Sequence, residues 1–352
     1  MRLLRPLFLA LLALVVAVSG AFAQAPSAPT IKLPGGAQIK VKIPAPKPQK
    51  GKAKRKRVRL PKPKTTSVQV GISDQKATMF GDPRFGTLGF NIARRSIGWD
   101  FYKYDWQIAD IDEWVQAARL AGVKPLITFA RAREAKDIHY VPTRQEWMTG
   151  FREFRARWPH VTEFAATNES NHNPPTFKRP ELAAAYYKDM RAACRTCKIA
   201  AATILEVPTK ADRKRARTWI KRFLRAAGHQ PKYWALHNYV SANKFDLRGT
   251  KELLKLVKGE IWITEVGGLV VRRTRDFAGK IKMKEGLAHS AKVTRFIFDR
   301  ILTLSPRIRR VYLFHWNATG PQDTWDSGLV AADGTARSSL NIVQAKLKRA
   351  RR

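Results

Sequence analysis

Two glutamates stand at the ends of short apolar runs, Glu169 in "VTEFAATNES" and Glu265 in "IWITEVGG". Each run reads as a strand whose last residues turn abruptly polar. Two carboxylates brought face to face can divide the work of a displacement reaction. One stays protonated and donates to a leaving oxygen, while the other stays ionised and attacks, or activates a water. At an acetal carbon this division is the chemistry of glycoside cleavage. It requires unlike surroundings: arginine and hydrogen-bond donors hold a carboxyl ionised, whereas apolar surroundings or a second negative charge keep it protonated. Arg94 or Arg95, Asn168, His237 and Tyr239 are the available donors.

The elements that must position these residues repeat along the chain. From Val68 onward a short run rich in β-branched residues, a polar junction and an amphipathic stretch recur at intervals of roughly 30 residues. The strand candidates are "VQVGIS" (68–73), "IARRSIG" (92–98), "KPLITFA" (124–130), "VTEFAAT" (161–167), "KIAAATI" (198–204), "YWALHNY" (233–239), "IWITEVG" (261–267) and "RVYLFHW" (310–316). Helical stretches fall between them, the plainest being "DIDEWVQAARLAG" with Gly122 as its stop, "RQEWMTGFREFRARW", "RKRARTWIKRFLRAAG" and "LAHSAKVTRFIFDRIL". Eight such units over 68–346 predict a TIM (β/α)8 barrel better than a doubly wound sheet, which has fewer strands. No G-x-G-x-x-G follows the first strand and no His/Asp cluster stands out, so the sequence signals neither a nucleotide cofactor nor a metal. In a barrel the chemistry lies at the C-terminal strand ends. Those ends carry Asn168-Glu169, His237-Asn238-Tyr239, Thr264-Glu265 and His315-Trp316, and Arg94 and Arg95 interrupt the second strand.

This ordered set resembles the large clan of retaining (β/α)8 glycoside hydrolases, clan A, that includes many endoglucanases, mannanases and xylosidases. The resemblance is one of motif order and runs from about Val68 to Gln344. It implies Glu169 as acid/base after the Asn-Glu pair of strand four, with Asn168 on a sugar hydroxyl, and Glu265 as nucleophile in a W-x-T-E-x-G setting. The clan's strand-two arginine maps onto Arg94, its strand-six His-x-Tyr onto His237 and Tyr239, and its strand-eight tryptophan onto Trp316. An aromatic residue often precedes the Asn in that clan, where this chain has Thr167. A retaining pair places its carboxyl groups about 5 to 5.5 Å apart, an inverting pair more than about 6.5 Å. Trp99 and Trp325 are further candidates for stacking on sugar rings, and His172 and Asn173 for binding in the leaving-group subsite or for holding the loop. The expected partner is a carbohydrate, polysaccharide or oligosaccharide, met by a monomeric enzyme without cofactor.

The chain's ends are of different material. Arg2 and Arg5, an apolar run from Leu7 to about Val18, and Ala21-Phe22-Ala23 have the three-part layout of a secretory signal peptide, residues 1–23. Residues 24–67 are rich in Pro, Lys and Arg with no acidic residue, a composition that cannot build a core and reads as a solvated linker or a tether to an anionic wall or membrane surface. A short basic tail, 347–352, closes the chain. The formal net charge of +40 keeps polyanion binding in view, but no nucleic-acid motif with interleaved aromatics appears. Cys194 and Cys197 form one C-x-x-C, which in an exported, cell-surface or free, protein predicts a short-loop disulfide. The rival class is a non-catalytic carbohydrate- or wall-binding protein whose barrel mouth holds sugar and whose basic tail holds an acidic polymer.

Overall fold

A computed structural model describes residues 38–41, 66–273, 283–320 and 322–351. Residues 1–23 and most of 24–67 therefore lie outside the described residues. The strands are β1 (Gln38–Val41), β2 (Thr66–Ser73), β3 (Ile92–Gly98), β4 (Lys124–Ala130), β5 (Glu163–Ala165), β6 (Lys198–Ala200), β7 (Thr203–Leu205), β8 (Tyr233–His237), β9 (Glu260–Val266), β10 (Val271–Arg272), β11 (Ile308–Phe314) and β12 (Trp325–Asp326). The helices are α1 (Pro83–Leu88), α2 (Asp105–Leu120), α3 (Arg144–Arg157), α4 (Pro180–Ala193), α5 (Lys210–Ala227), α6 (Tyr239–Lys244), α7 (Arg248–Leu256), α8 (Leu287–Phe296) and α9 (Ser338–Arg351).

The parallel strands run in the order β6-β5-β4-β3-β2-β11-β9-β8-β7. The fifth predicted strand, 198–204, is thus two short ones, each pairing with a different neighbour. Between them Ala201 N–H donates to Tyr233 O of β8 (2.9 Å), while Ala200 O accepts from Ala166 N–H after β5 (3.0 Å). One passage of chain consequently joins both ends of the sheet and closes a (β/α)8 barrel. Helix ends follow local chemistry. Thr143 and Glu146 form a reciprocal capping box on α3, and Gly122 and Gly228 take left-handed φ of 67° and 78° just after α2 and at the end of α5.

Strand alternation sorts residues between two environments. Ile92, Leu126, Ala165, Ala200, Ala235, Trp262 and Tyr312 fill an interior layer of the barrel, while Ala93, Ile127, Phe164, Ile263 and Val311 belong to the core cluster shared with the helices. Gly71 of β2 has no alternative, because a Cβ there would lie 2.1 Å from the Ile92 carbonyl oxygen. At the N-terminal end of the barrel the buried Glu163 and Arg310 form a bidentate pair, with Lys124 and Lys198 at 3.1 and 3.5 Å from Glu163. The Arg310 guanidinium also lies 4.2 Å over the Trp262 ring.

Two expectations about the ends need correction. Gln38–Val41, within the stretch read as linker, pairs antiparallel with Thr66–Gln69 and so extends the sheet at β2, whose start lies two residues earlier than Val68. The supposed basic tail is mostly the last turn of α9, which reaches Arg351 and buries Leu347 against the core. In that turn Lys348 and Arg349 are exposed on the outer side of an amphipathic helix, a pattern that composition alone reads as a tail. Cys194 and Cys197 are joined by a disulfide just after α4.

Replacing Arg310 by Met should destabilise the barrel by about 3 kcal/mol, because Glu163 would keep its burial but lose its bidentate partner. Denaturant unfolding of Arg310→Met and of the double variant with Glu163→Leu checks this. The double variant should recover most of the loss, and an equally unstable one would argue against the buried charge as its cause.

Candidate active site

At the opposite, C-terminal end, the site is built around Arg94. Alternation along β3 points Ile92, Arg94 and Ser96 into the barrel and Arg95 out of it. Arg95 meets the Asp110 side chain and backbone on α2, which settles the choice between the two arginines. The fully buried Arg94 guanidinium donates to four side chains from four places: Ser73 Oγ of β2 (3.0 Å), Thr128 Oγ1 of β4 (2.8 Å), Asn168 Oδ1 after β5 (2.8 Å) and Glu265 Oε1 of β9 (2.5 Å).

Glu265 reaches this position through a break in the strand rhythm. In "IWITEVG" strict alternation puts Glu265 on the same face as Ile261 and Ile263, which point to the helices. The register against β8 passes from Leu236↔Ile263 to His237↔Glu265, and against β11 from Val311↔Ile263 to Leu313↔Val266. Both neighbours thus see one extra residue in β9. This bulge turns Glu265 inward beside His237 and returns Val266 to the outer face.

The cluster "ATNESNHN" is a turn that carries Glu169, together with the bonds that hold it. Thr203 N–H donates to Thr167 O and Ser170 N–H to Thr203 O, so the chain stays pinned to β7 on either side of Glu169. Asn171 exchanges two bonds with the Leu205 backbone (2.8 and 2.9 Å), as a strand partner would. Between these clamps Glu169 adopts φ 43°, left-handed for a non-glycine residue, and its carbonyl accepts from the N–H groups of His172 and Asn173. Strain of this kind, of order 1–3 kcal/mol, persists only where the surroundings enforce it. Asn173 Nδ2 donates back to Glu169 Oε2 at 2.6 Å.

The two carboxylates meet across His237. Its Nδ1 lies 2.9 Å from Glu169 Oε1 and its Nε2 3.5 Å from Glu265 Oε1, while Tyr239 donates its hydroxyl to Glu265 Oε2 at 3.2 Å. One ligand atom from each of Glu169, His237 and Glu265 lies within 4.8 Å of the other two. Burial pushes the imidazole down to about 3, with Glu265 opposing and Arg94 reinforcing that shift, so His237 is neutral at ordinary pH. Burial also pushes the Glu169 carboxyl up, against the opposing pull of His172, Arg94, Asn173 and Arg131, and Tyr239 is held well above its usual range for the same reason. Glu265 instead sits on the Arg94 guanidinium. The three groups are close enough to chelate a cation, but Arg94 already supplies the positive charge to one of the carboxylates.

A cleft of about 640 Å³ opens over the pair, its walls including His172, Tyr239, Phe314 and Trp325. Trp325 meets Tyr239 edge-on at 4.7 Å. The two other tryptophans lie elsewhere. Trp99 is buried and stacks on Tyr140; with Arg94 inward, the odd-numbered positions of this strand face the helices, and Trp99 follows that parity. Trp316 is buried against Phe85 and donates its indole N–H to Asp82. The inward series of β11 is Arg310, Tyr312, Phe314, and the strand ends there. Phe314 thus occupies the cleft position expected for Trp316, a shift hidden by the continuous apolar run "VYLFHW".

The sequence reading also missed Glu206, one residue beyond β7. Its carboxylate accepts from Ser241 N–H and Ser241 Oγ (both 2.5 Å) in the first turn of α6, the helix that carries Tyr239, and from Thr250 Oγ1 at 3.4 Å. A Cβ on Gly249 would lie 2.2 Å from Glu206 Oε1, so glycine there makes room for the carboxylate. The only sequence signal was its place at a strand end. Burial pushes the Glu206 carboxyl up to about 7 in spite of these donors.

An (β/α)8 barrel with two glutamates and an arginine at its C-terminal mouth defines the class of sugar-cleaving barrel enzymes. The chain belongs to the glycosyl hydrolase catalytic core family, whose model matches residues 93–289. No curated protein sequence matches it. Among solved structures it is similar to an endo-1,4-β-xylanase from Penicillium canescens, with 10% identity over 80% of this chain and 94% of that one and a TM-score of 0.56. It is likewise similar to a family 128 endo-β-1,3-glucanase from Amycolatopsis mediterranei in complex with laminaripentaose, with 18% identity, 79% and 98% coverage and a TM-score of 0.51. The chain spans 63% of the length of a family 39 glycoside hydrolase from Bacteroides cellulosilyticus, with 14% identity over 79% of this chain and a TM-score of 0.49.

The pH dependence of stability tests the Glu206 cap. A glutamate that titrates near 4.5 in the unfolded chain and near 7 in the fold binds its proton more tightly when folded. Its contribution is therefore complete below pH 4.5 and is lost as pH rises through 7, by about 3 kcal/mol in all. Glu206→Gln should remove this decline, gaining on the parent at pH 8 relative to pH 4.5. Parallel stability curves for the two proteins would show that Glu206 does not titrate in this window.

Proposed function

We propose that this protein is a secreted retaining β-glycoside hydrolase, or transglycosylase, acting on a polysaccharide or oligosaccharide. Glu265 attacks the anomeric carbon and forms a glycosyl-enzyme. Glu169 first protonates the leaving oxygen, then takes the proton of the incoming water or sugar hydroxyl. The observation that carries this reading is the pairing of two glutamates with opposite surroundings at short range. Their facing oxygens lie within 4.8 Å, which supports the retaining separation of about 5 to 5.5 Å over the inverting range.

The surroundings support the same assignment of roles. Glu265 receives the Arg94 guanidinium and the Tyr239 hydroxyl, which hold its carboxyl group in place at the mouth for attack. Glu169 is held by the neutral Asn173 amide and His237, and its burial favours the protonated form needed in the first step. His237, being neutral, spans the two carboxylates without adding a charge that would favour ionisation of both. Asn168 Oδ1 is taken by Arg94, which leaves its amide N–H groups to meet a sugar hydroxyl. Trp325 and Phe314 offer aromatic faces to pyranose C–H groups in the cleft. The xylanase and the glucanase named above support a β-linked polysaccharide as the substrate class. The apolar N-terminal layout supports export, and the basic stretch of 24–67 would hold the enzyme to an anionic surface.

The roles separate when the glutamates are shortened. Glu265→Ala should lose nearly all activity on every substrate. Glu169→Ala should keep glycosylation of substrates with activated phenol leaving groups, and added azide should accelerate it by attacking the glycosyl-enzyme to give a β-glycosyl azide. Rescue of Glu265→Ala to an inverted azide would exchange the two roles, and an inverted anomer in the wild-type products, read by proton NMR, would sink the retaining mechanism. The alkaline limb of the wild-type pH profile should lie above the ordinary glutamate range, because burial raises the acid.

A further inference from the structure

One side of the cleft is built for a charge that the proposed mechanism does not use. Arg131 directly follows β4, so it stands on the rim of the barrel mouth. It is exposed and has no hydrogen bond or ion-pair contact to another side chain among the described residues. It lines the catalytic cleft, in which it is the one permanent cation on the walls among the described residues. It also lines an adjoining pocket of about 310 Å³ together with Ser96, Arg133, Asn168 and Asn173. That is the lower end of the size range of small-ligand sites.

The two arginines of this pocket differ. Arg133 is committed: it donates to Ser96 O and Gln75 Oε1, and it faces Asp110 at 3.5 Å. Arg131 is not, and its neighbours on the catalytic side include one group that holds Glu169 and one that Arg94 holds. Asn168 and Asn173 border the same pocket, and Asn173 holds Glu169 Oε2. We infer that this pocket is a subsite for a sugar bearing a single negative group, a uronic acid carboxylate or a sulfate ester, with the Arg131 guanidinium as its counter-ion. The planar fork of arginine suits such groups bidentately, and the Asn168 and Asn173 amides flank it with donors for the ring hydroxyls.

The placement has a consequence for the chemistry. An unneutralised guanidinium at the rim favours the ionised form of Glu169, which works against its duty as an acid. An anionic sugar bound on Arg131 cancels that field at the moment when the acid must hold its proton. Acidic substrates would then gain in turnover as well as in binding, whereas neutral ones would leave the rim charge in place.

The subsite can be tested without catalysis, and so apart from the glycosidase reading on which its link to Glu169 rests. Binding of methyl β-glucuronide, methyl β-glucoside and methyl β-glucoside 6-sulfate is measured by calorimetry on the wild type, on Arg131→Ala and on Lys214→Ala. Lys214 is an exposed residue of α5, so its variant removes the same unit of charge from a +40 protein at a place outside the cleft. The wild type should prefer a charged sugar over the neutral one, and the preference for glucuronide or for sulfate identifies the group. Arg131→Ala should lower that affinity about 10- to 100-fold, Lys214→Ala leaving it within about twofold. Equal losses in both variants, or no preference in the wild type, would overturn the subsite, since either result reduces Arg131 to part of the general positive field. On uronic-acid-containing and neutral polysaccharides, Arg131→Ala should lose kcat/KM on the acidic ones alone. A protein that binds the charged sugar through Arg131 but hydrolyses neither polymer would keep the subsite and lose the glycosidase reading. Hydrolysis of neutral polymers without charge preference would do the reverse.

Discussion

The buried guanidinium of Arg94 is the constraint around which the site is arranged. A fixed charge inside a barrel is costly unless every donor finds a partner. Here the partners are hydroxyls of β2 and β4, the amide of the residue before one glutamate, and the carboxylate of the other. Satisfying the cation therefore fixes the relative positions of two distant strand ends. The same bonds that make the charge tolerable orient Asn168 and hold Glu265, so stability and chemistry draw on one set of contacts.

Two local departures from regular backbone complete the arrangement, and they act in opposite ways. In β9 a bulge inserts one residue and turns Glu265 toward the cavity, away from the helix layer. After β5 the chain turns left-handed at Glu169, with Asn171 and Ser170 clamping it to β7 on the far side. Each device costs regular pairing, and each is enforced by neighbours that are themselves regular. The outcome is a pair of carboxylates on either side of a neutral histidine, one next to a guanidinium and one mainly desolvated.

Glu206 and the α6 turn show how the outer parts of the mouth are tied to this centre. The backbone N–H of Glu206 donates to the His237 carbonyl, and its carboxylate caps the helix that begins at Tyr239. The two residues that bridge and support the glutamates are thus both anchored through one buried acid. Arg131, just after β4, has no such bonds among the described residues. The contrast is between an arginine at the centre whose bonds all go to the protein and one at the rim that is left to meet a ligand in the proposed subsite.

What the sequence determined by itself was the set of elements and the order of the chemistry along them. Period-2 apolar runs bounded by polar residues marked all eight barrel strands, two of them, 92–98 and 124–130, at their observed limits. The polar residues at the ends of three runs named Asn168, Glu169, His237, Tyr239 and Glu265, because a strand that stops in charge at a barrel mouth has few structural reasons to do so, and the charge inside a fourth run named Arg94. Parity along β3 would also have placed Trp99 on the helix side. The tertiary structure alone decided what depends on partners far along the chain. The split of the fifth strand follows from closure between β5 and β8, and the inward turn of Glu265 follows from a register that only β8 and β11 define. The exchange of Trp316 for Phe314 follows from where β11 lets go of the barrel, which an unbroken apolar run does not mark. The long-range bonds of Asn171, Glu206 and Gly249 left no local pattern at all, since hydrogen-bond geometry and close approach are properties of positions in space, not of neighbours in sequence.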